Sequence, residues 1–120
     1  MKVSEAARAG CPERAVLEHV TSTWGVLVLV QLSDAGTLRF SELRRRIGGV
    51  SEKMLAQTLR TLERDGFIRR RARPVIPPHV DYDLTTLGVQ VAEKVSALAE
   101  WTARNVTAVT AAQQTYDAAL

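Results

Sequence analysis

The chain has 120 residues, of which 46% are hydrophobic, with a formal net charge of +3 and one cysteine. This size suits a single domain over residues 1–120 and leaves little room for a second one. The longest apolar run, 26–30, is far too short to span a bilayer, the N-terminus lacks a secretory pattern, and one cysteine excludes an intrachain disulfide framework. We therefore expect a soluble, cytoplasmic protein that has no membrane contact, no metal centre and no cofactor.

Two helices are predicted at the start of the chain. Pro12, a residue favoured in the first turn of a helix, opens a short segment whose apolar residues share one face. Residues 24–32 are almost entirely apolar without strand-like punctuation, and a turn containing Gly36 follows them. We predict that this second segment is a buried helix at the centre of the core.

Two further helices follow, joined by a turn that contains two glycines. Residues 37–40 predict a short strand, after which Ser41 offers an N-cap oxygen to a helix over 42–47. Ser51 can cap the next helix, which we expect to end near Gly66. Two helices joined in this way are typical of a helix-turn-helix.

The second of these helices has two chemically different faces. Leu55, Leu59 and Leu62 recur at positions i, i+4 and i+7 and form one apolar face. The opposite face carries Lys53, Gln57, Arg60 and Arg64. The leucines are thus expected to pack inward, while the polar face points outward as in a helix that enters the DNA major groove.

The remaining sequence predicts a β-ribbon and a long helical tail. Residues 67–73 and 80–84 suggest two strands joined by the proline-rich tip 74–78. Apolar residues then recur at helical spacing from Thr85 onward. The part over 102–120 has little to bury by itself and predicts a dimerisation helix. The whole order predicts a mainly α winged helix-turn-helix with a small β-wing.

Positive charge is concentrated in one part of the chain. Residues 39–79 contain eleven Lys and Arg against four Asp and Glu, whereas the rest is net acidic. A surface that faces phosphates needs such a concentration, because Lys and Arg displace condensed counterions. A solvated, charge-rich helical surface would give the same count, so both interpretations stay open.

On this basis we predict contacts with double-stranded DNA. Lys53 and Gln57 are placed to meet base edges, since Gln can pair with adenine and Lys can donate to guanine. Arg60 lies further along the helix and is expected to contact phosphate. We expect less of Arg69, because successive strand positions face different ways. The full predicted set is Ser41, Arg44, Arg45, Ser51, Lys53, Met54, Gln57, Arg60, Arg71, Arg73 and His79.

Several short motifs occur in order along the chain. They are Cys11-Pro12, Trp24, Arg39 to Arg44, Ile47 to Leu55, Leu62 to Gly66, and Pro77 to Gly88. Together they resemble the HxlR type of winged-helix regulators, relatives of the MarR group, over about residues 11–101. The resemblance implies N- and C-terminal dimerisation helices that join a homodimer, which binds an inverted-repeat operator and acts as repressor or activator. In some members it also implies sensing of electrophiles, oxidants or small metabolites.

Cys11 has two open interpretations. It lies just before a helix start, where the helix dipole can stabilise a thiolate. Some HxlR-type proteins carry a redox-active cysteine at this Cys-Pro position, so the resemblance favours a sensor, whereas an inert structural cysteine explains the residue equally well. A small-molecule effector, if one binds, is expected at the dimer interface near Trp24 and Trp101.

Catalysis is not expected. His19 and His79 lack a surrounding nucleophile constellation, and the chain contains no phosphate-binding glycine loop. One alternative of a different class stays open, namely a winged-helix protein–protein interaction module without specific DNA binding, since some winged helices use the same exposed face to bind proteins.

Overall fold

The structure is a computed structural model and describes residues 10–120. Within this range the helices are α1 (Pro12–Thr21), α2 (Thr23–Ala35), α3 (Phe40–Ile47), α4 (Glu52–Arg64) and α5 (Thr86–Ala118). The strands are β1 (Thr37–Arg39), β2 (Ile68–Arg73) and β3 (His79–Leu84). The molecule is thus mainly helical with one small sheet, as the sequence predicts.

The apolar helix α2 is the centre of the core. Its residues Val28, Leu29 and Leu32 are almost completely buried, and the helix contacts α1, α3, α4 and α5. Gly36 ends it with a backbone φ of 85°, a left-handed conformation that glycine adopts without strain. The prediction of a buried helix closed by a glycine turn is therefore confirmed.

The three strands form an antiparallel sheet in the order β1-β3-β2. Tyr82 on the central strand lies opposite Leu38 of β1 and Arg70 of β2. One face of the sheet contributes Leu38, Ile68 and Tyr82 to the core. The strands β2 and β3 therefore form a ribbon that is anchored to the core at one end and extends to a proline-rich tip.

The long helix α5 is buried only in its first part. Ala92 and Val95 belong to the core, whereas every residue from 106 to 120 is exposed. Large apolar side chains nevertheless continue along it, and Trp101 is 52% exposed. The helix runs unbroken through residue 102, where the predicted dimerisation segment begins. Its role in dimerisation stays a prediction.

One predicted helix cap is wrong. Ser41 does not precede α3 but lies inside its first turn, because the helix starts at Phe40 and Arg39 is the N-cap residue. The backbone N–H of Arg39 donates to Oε1 of Glu42 at 2.9 Å. The strand ends at Arg39, and Phe40 is the first residue of the helix. Its side chain packs against the core.

Within residues 10–120 no single helix is long and apolar enough to cross a membrane; α1 and α2 meet the requirement only when taken together, and they are bent by 67° relative to each other.

Candidate nucleic-acid interface

The turn between α3 and α4 fixes where α4 begins. Gly48 and Gly49 have φ values of 72° and 73°, which side chains with a Cβ rarely adopt. Val50 follows and is buried at 4% exposure. The Ser51 side chain then caps α4, since its Oγ accepts a hydrogen bond from the N–H of Met54 at 3.0 Å. The N-cap predicted at Ser51 is therefore confirmed.

The two faces of α4 are oriented as their spacing predicts. Leu55, Leu59 and Leu62 are 2% exposed or less and anchor the helix in the core. The residues on the opposite side, Lys53, Gln57, Arg60 and Arg64, are all exposed. Met54, which lies beside them, is 40% exposed. A rigid polar and cationic face therefore points away from the core.

The first helix flanks this face on one side. Glu18 of α1 and Gln57 of α4 both line a small groove of about 190 Å³ between the two helices. At the far end of α4, Nδ1 of His19 lies 2.5 Å from Oδ2 of Asp65, the C-cap residue of the helix. Sequence patterns do not reveal this contact, because 46 residues separate its partners.

The arginines at the end of α3 have different surroundings. Nε of Arg44 donates to the backbone oxygen of Val50 at 3.2 Å, and its Nη1 donates to Glu52 at 3.3 Å. Nε of Arg46 donates to the side-chain oxygen of Gln31 at 2.9 Å. Two of the three consecutive arginines therefore contact other parts of this chain.

Several predicted contact residues surround one open concavity between α3 and α4. Ser41, Arg44, Arg45, Ser51 and Glu52 line it together with the backbone of Gly48 and Gly49. Arg45 is exposed. The hydroxyl groups, the guanidinium of Arg45 and the glycine backbone suit an anion, whereas the carboxylate of Glu52 lies beside Arg44 and disfavours an anion at that end.

The wing presents most of its charges on one face. Arg69, Arg71 and Arg73 lie opposite Asp83, Asp81 and His79 in the ladder between β2 and β3. The expectation that Arg69 faces a different way from Arg71 and Arg73 is wrong, because positions two apart in a strand share a face. The arginine that faces the other way is Arg70, opposite Tyr82.

Two aspartates partly neutralise this face. Nε of Arg73 lies 2.6 Å from a carboxylate oxygen of Asp81, and Asp83 lies 3.1 Å from Arg69 and 3.6 Å from Arg71. The charge count over 39–79 includes these arginines but stops short of the aspartates that face them. The wing is therefore less basic than the sequence count indicates.

Of these two acids, Asp81 makes the shorter contact with an arginine. The hydrogen bond from Arg73 lowers the pKa of its carboxyl group, partial burial opposes that shift, and the charges of His79, Arg73 and Arg39 add to the lowering. The residue is 9% exposed. An ionised Asp81 thus holds the surrounding cations in fixed positions at neutral pH.

Cys11 is the N-cap residue of α1 and is partly buried. Its thiol donates a hydrogen bond to the carboxylate of Glu13, and this bond is the main reason that the pKa of Glu13 is lowered. Over residues 10–120 no group of three or more His, Cys, Asp or Glu side chains is placed to hold a metal ion.

A helix-turn-helix with an outward cationic face, followed by a two-stranded ribbon, defines the winged helix-turn-helix class. The profile of the HxlR-like helix-turn-helix family matches residues 19–110, and the chain belongs to that family. It is 65% identical over 101 residues to the HTH-type transcriptional regulator YtfH of Escherichia coli strain K12, covering 84% of this chain and 79% of that protein.

Solved structures of two similar proteins agree with this assignment. The protein ytfH from Salmonella typhimurium, named as a transcriptional regulator, is 60% identical with a TM-score of 0.84, covering 89% of this chain and 95% of that one. The redox regulator HypR in its oxidised form is 33% identical with a TM-score of 0.72, covering 79% and 97%. The family and these relatives are transcriptional regulators and not enzymes, and this chain is a transcriptional regulator of the HxlR type.

Proposed function

We propose that the protein binds a specific DNA sequence, an inverted-repeat operator, as a homodimer and thereby represses or activates transcription. The observation that carries this proposal is the outward face of α4, where Lys53, Gln57 and Arg60 are exposed above buried leucines. A helix of this kind fits the major groove, where base edges present distinct donor and acceptor patterns. Such binding takes place where the chromosome lies, which in a prokaryote is the cytoplasm.

Different residues would have different roles at the operator. Gln57 would pair with adenine and Lys53 would donate to guanine, while Met54 beside them would make apolar contact with a thymine methyl group. Arg60, further along α4, would contact phosphate. Ser41, Arg45 and Ser51 line the concavity between α3 and α4 together with Arg44 and Glu52, and we infer that a backbone phosphate of DNA contacts Arg45 there.

The wing would reach the neighbouring backbone. Arg71 and Arg73 keep side-chain exposures of 44% and 45% even while paired with aspartates, so they still have donors for phosphate oxygens. His79 lies opposite Arg73 near the tip and would add a further polar contact. These contacts would position the protein without reading sequence.

The homodimer is supported by apolar surface that this chain alone leaves exposed. Val16 and Leu17 on α1 are 39% and 48% exposed, and Leu98, Trp101 and Val109 on α5 are 44% exposed or more. Large apolar residues that recur along a helix without a core to cover them are typical of a subunit interface. A symmetric dimer would also match the two halves of an inverted repeat.

The proposal is tested by selection of DNA duplexes from a random library with the full chain. We expect the wild type to enrich an inverted repeat. Gln57→Ala should bind with relaxed base preference at one position per half-site, since loss of a bidentate pair removes about 1–3 kcal/mol of discrimination. Gln90→Ala, an exposed glutamine on α5, is the matched control and should enrich the wild-type sequence.

The same experiment tests the alternative of a protein-interaction module. That alternative predicts that no sequence is enriched and that binding to every duplex disappears at moderate salt. It is favoured only by the fold, since a winged helix can present the same face to a protein. The concentration of exposed basic residues on that face favours DNA instead.

Regulation through Cys11 is a second proposal, supported by the likeness to the redox regulator HypR and by the partial exposure of the thiol. With one cysteine per chain, the thiol would form a disulfide between subunits, form a mixed disulfide with a small thiol, or become alkylated. We expect hydrogen peroxide or diamide to change the DNA affinity of the wild type but not of Cys11→Ser. Equal responses of both proteins would refute the sensor.

A small-molecule effector is a further proposal of this kind. Trp24 packs against the core at the start of α2, while Trp101 is exposed on α5. An aromatic site at the dimer interface near these residues would couple an effector to the spacing of the two α4 helices. Quenching of tryptophan fluorescence by candidate metabolites, compared between wild type and Trp101→Leu, tests this location.

A further inference from the structure

The side chain of Arg44 crosses the turn of the helix-turn-helix. Its Nε donates to the backbone oxygen of Val50 at 3.2 Å, and its Nη1 donates to Oε1 of Glu52 at 3.3 Å. Both acceptors belong to the segment that starts α4, although Arg44 itself lies on α3. The guanidinium therefore links the two helices across the glycine turn.

The hydrogen bond from Arg44 matters to the backbone oxygen of Val50, because Val50 precedes the N-cap of α4 and lies outside its hydrogen-bond ladder. The N–H of Met54 is the group that would reach it if α4 began one residue earlier, but that N–H is bonded to Oγ of Ser51 at 3.0 Å. The peptide group between Val50 and Ser51 is anchored on both sides, because the Val50 side chain is buried and the Ser51 side chain caps α4. A backbone acceptor held in this way is normally paired, and a charged donor gives a stronger bond than a neutral one.

The charges around Arg44 disfavour a second role at phosphate. Glu52 places a carboxylate beside the guanidinium, so the pair has no net charge and would release few counterions from DNA. The same carboxylate repels a phosphate that approaches Arg44. Arg44 and Arg45 both line the concavity between α3 and α4, but Arg45 is exposed and is not paired with Glu52.

We propose that Arg44 is a positioning residue for base recognition, which holds the start of α4 against α3, while Arg45 contacts the phosphate. This inference rests on the proposed function of DNA binding. Base readout requires well-defined side-chain geometry. A loosened start of α4 would displace Lys53 and Gln57 and would lower discrimination between sequences more than it lowers binding as a whole.

Hydrogen exchange of the free protein tests the link without DNA. We compare wild type, Arg44→Gln, Arg44→Lys and, as matched control, Arg45→Gln. The backbone amides of residues 50–56 should exchange roughly tenfold faster in both Arg44 variants, because a hydrogen bond to a charged group stabilises the closed segment. They should exchange at the wild-type rate in Arg45→Gln. Equal protection in all four proteins would overturn the proposal.

DNA binding gives the second measurement. The probes are a duplex of about 30 base pairs that the wild type selects from a random library and a random-sequence duplex of equal length. Arg44→Gln should lose roughly tenfold in preference for the selected duplex and keep the slope of log affinity against log salt. Arg45→Gln should keep the preference and lower the slope by about 0.9.

The opposite pattern would assign phosphate contact to Arg44 and overturn the inference. If the wild type prefers no duplex, the proposed function fails, and the exchange experiment still decides whether Arg44 holds the start of α4. Arg44→Lys separates charge from geometry, since it keeps the positive charge but lacks the Nε donor. We expect it to resemble Arg44→Gln in both measurements.

Discussion

Nδ1 of His19 lies 2.5 Å from Oδ2 of Asp65 and joins the end of α1 to the residue that caps the C-terminus of α4. The side chain of Asp65 is only 10% exposed and that of His19 is 30% exposed. Because α4 carries the residues proposed to read bases, this contact connects the N-terminal helix, which begins beside Cys11, with the proposed DNA-reading helix.

We predict that this contact stabilises the fold. His19→Ala and Asp65→Ala should each lower the free energy of unfolding by about 1–2 kcal/mol, as expected for the loss of a partly buried hydrogen bond. Urea denaturation at fixed protein concentration measures both variants and the double variant. A double variant whose loss equals the sum of the single losses would show that the two side chains do not interact.

A second prediction concerns the close approach of α1 and α2. A Cβ added at Gly25 would clash with the backbone oxygen of His19. Alanine normally stabilises a helix relative to glycine, so the sign of the effect depends on this clash. We expect Gly25→Ala to destabilise the protein by about 1–3 kcal/mol, measured by thermal or urea unfolding. Ser33→Ala, an exposed change on the same helix, should have little effect, and a stabilised Gly25→Ala protein would contradict the observed packing.

A third prediction follows from the pKa of Asp81, which the hydrogen bond from Arg73 lowers from its ordinary value of 3.8. A carboxyl group whose pKa is lowered in the folded state adds stability above its unfolded pKa and loses it as the pH falls through the folded pKa. The wild type should therefore lose stability below about pH 4 more steeply than Asp81→Asn. Urea midpoints between about pH 2 and 6 measure this difference.

Arg73→Gln is the companion to this experiment. Without its hydrogen-bond donor the carboxyl group of Asp81 should titrate at higher pH, so the acid-dependent loss of stability should become shallower. The carboxyl ¹³C resonance of Asp81 reports the titration directly. An unchanged resonance midpoint in Arg73→Gln would show that Arg73 is not the cause of the shift.

A fourth prediction separates positioning of the wing from reading of the sequence. Arg71→Ala should weaken binding to all duplexes by a similar factor and should lower the salt slope by about one unit. Fluorescence anisotropy at several salt concentrations, with selected and random duplexes, measures both effects. Arg104→Ala on α5 removes a comparable exposed arginine and serves as control. A change of sequence preference without a change of slope would place Arg71 at a base.

The fifth prediction concerns the apolar side of α5. Trp101→Glu should shift the protein toward monomer, because a charge in an apolar interface is costly to desolvate. Gln90→Glu introduces the same charge at another exposed position of the helix and should leave the mass unchanged. Sedimentation equilibrium at micromolar concentration measures the mass. A wild type that is already monomeric would refute the homodimer.

Periodicity and capping patterns were sufficient for most of the local structure. The spacing of Leu55, Leu59 and Leu62 determines which face of α4 is buried, and Ser51 and Gly66 mark its ends. These are properties of residues close in sequence, so they can be deduced without the fold. The cap predicted at Ser41 is wrong because a suitable cap residue lies two positions after the actual cap, and the hydrogen bond from the N–H of Arg39 to Glu42 distinguishes the two.

The pattern of charged residues was a poorer guide to the candidate site than the pattern of apolar residues was to the core. A count of basic residues in a segment ignores which acids face them from another strand, and Asp81 and Asp83 lie opposite the wing arginines. Likewise Arg44 looked equivalent to Arg45 in the sequence, whereas its guanidinium is bonded to Val50 and Glu52. An arginine side chain is long enough to reach several partners, and these partners come within its reach only after the chain has folded.

The amino-acid sequence therefore determined the order of the elements, and the buried face and cationic character of α4, because helix and strand periodicity act over a few residues. Only the tertiary structure decided which polar side chains already have a partner within the chain. His19 is bonded to Asp65, Arg44 to the start of α4, and Arg73 to Asp81. The reason is geometric, since hydrogen bonds act over about 3 Å and the chain must fold before such partners meet.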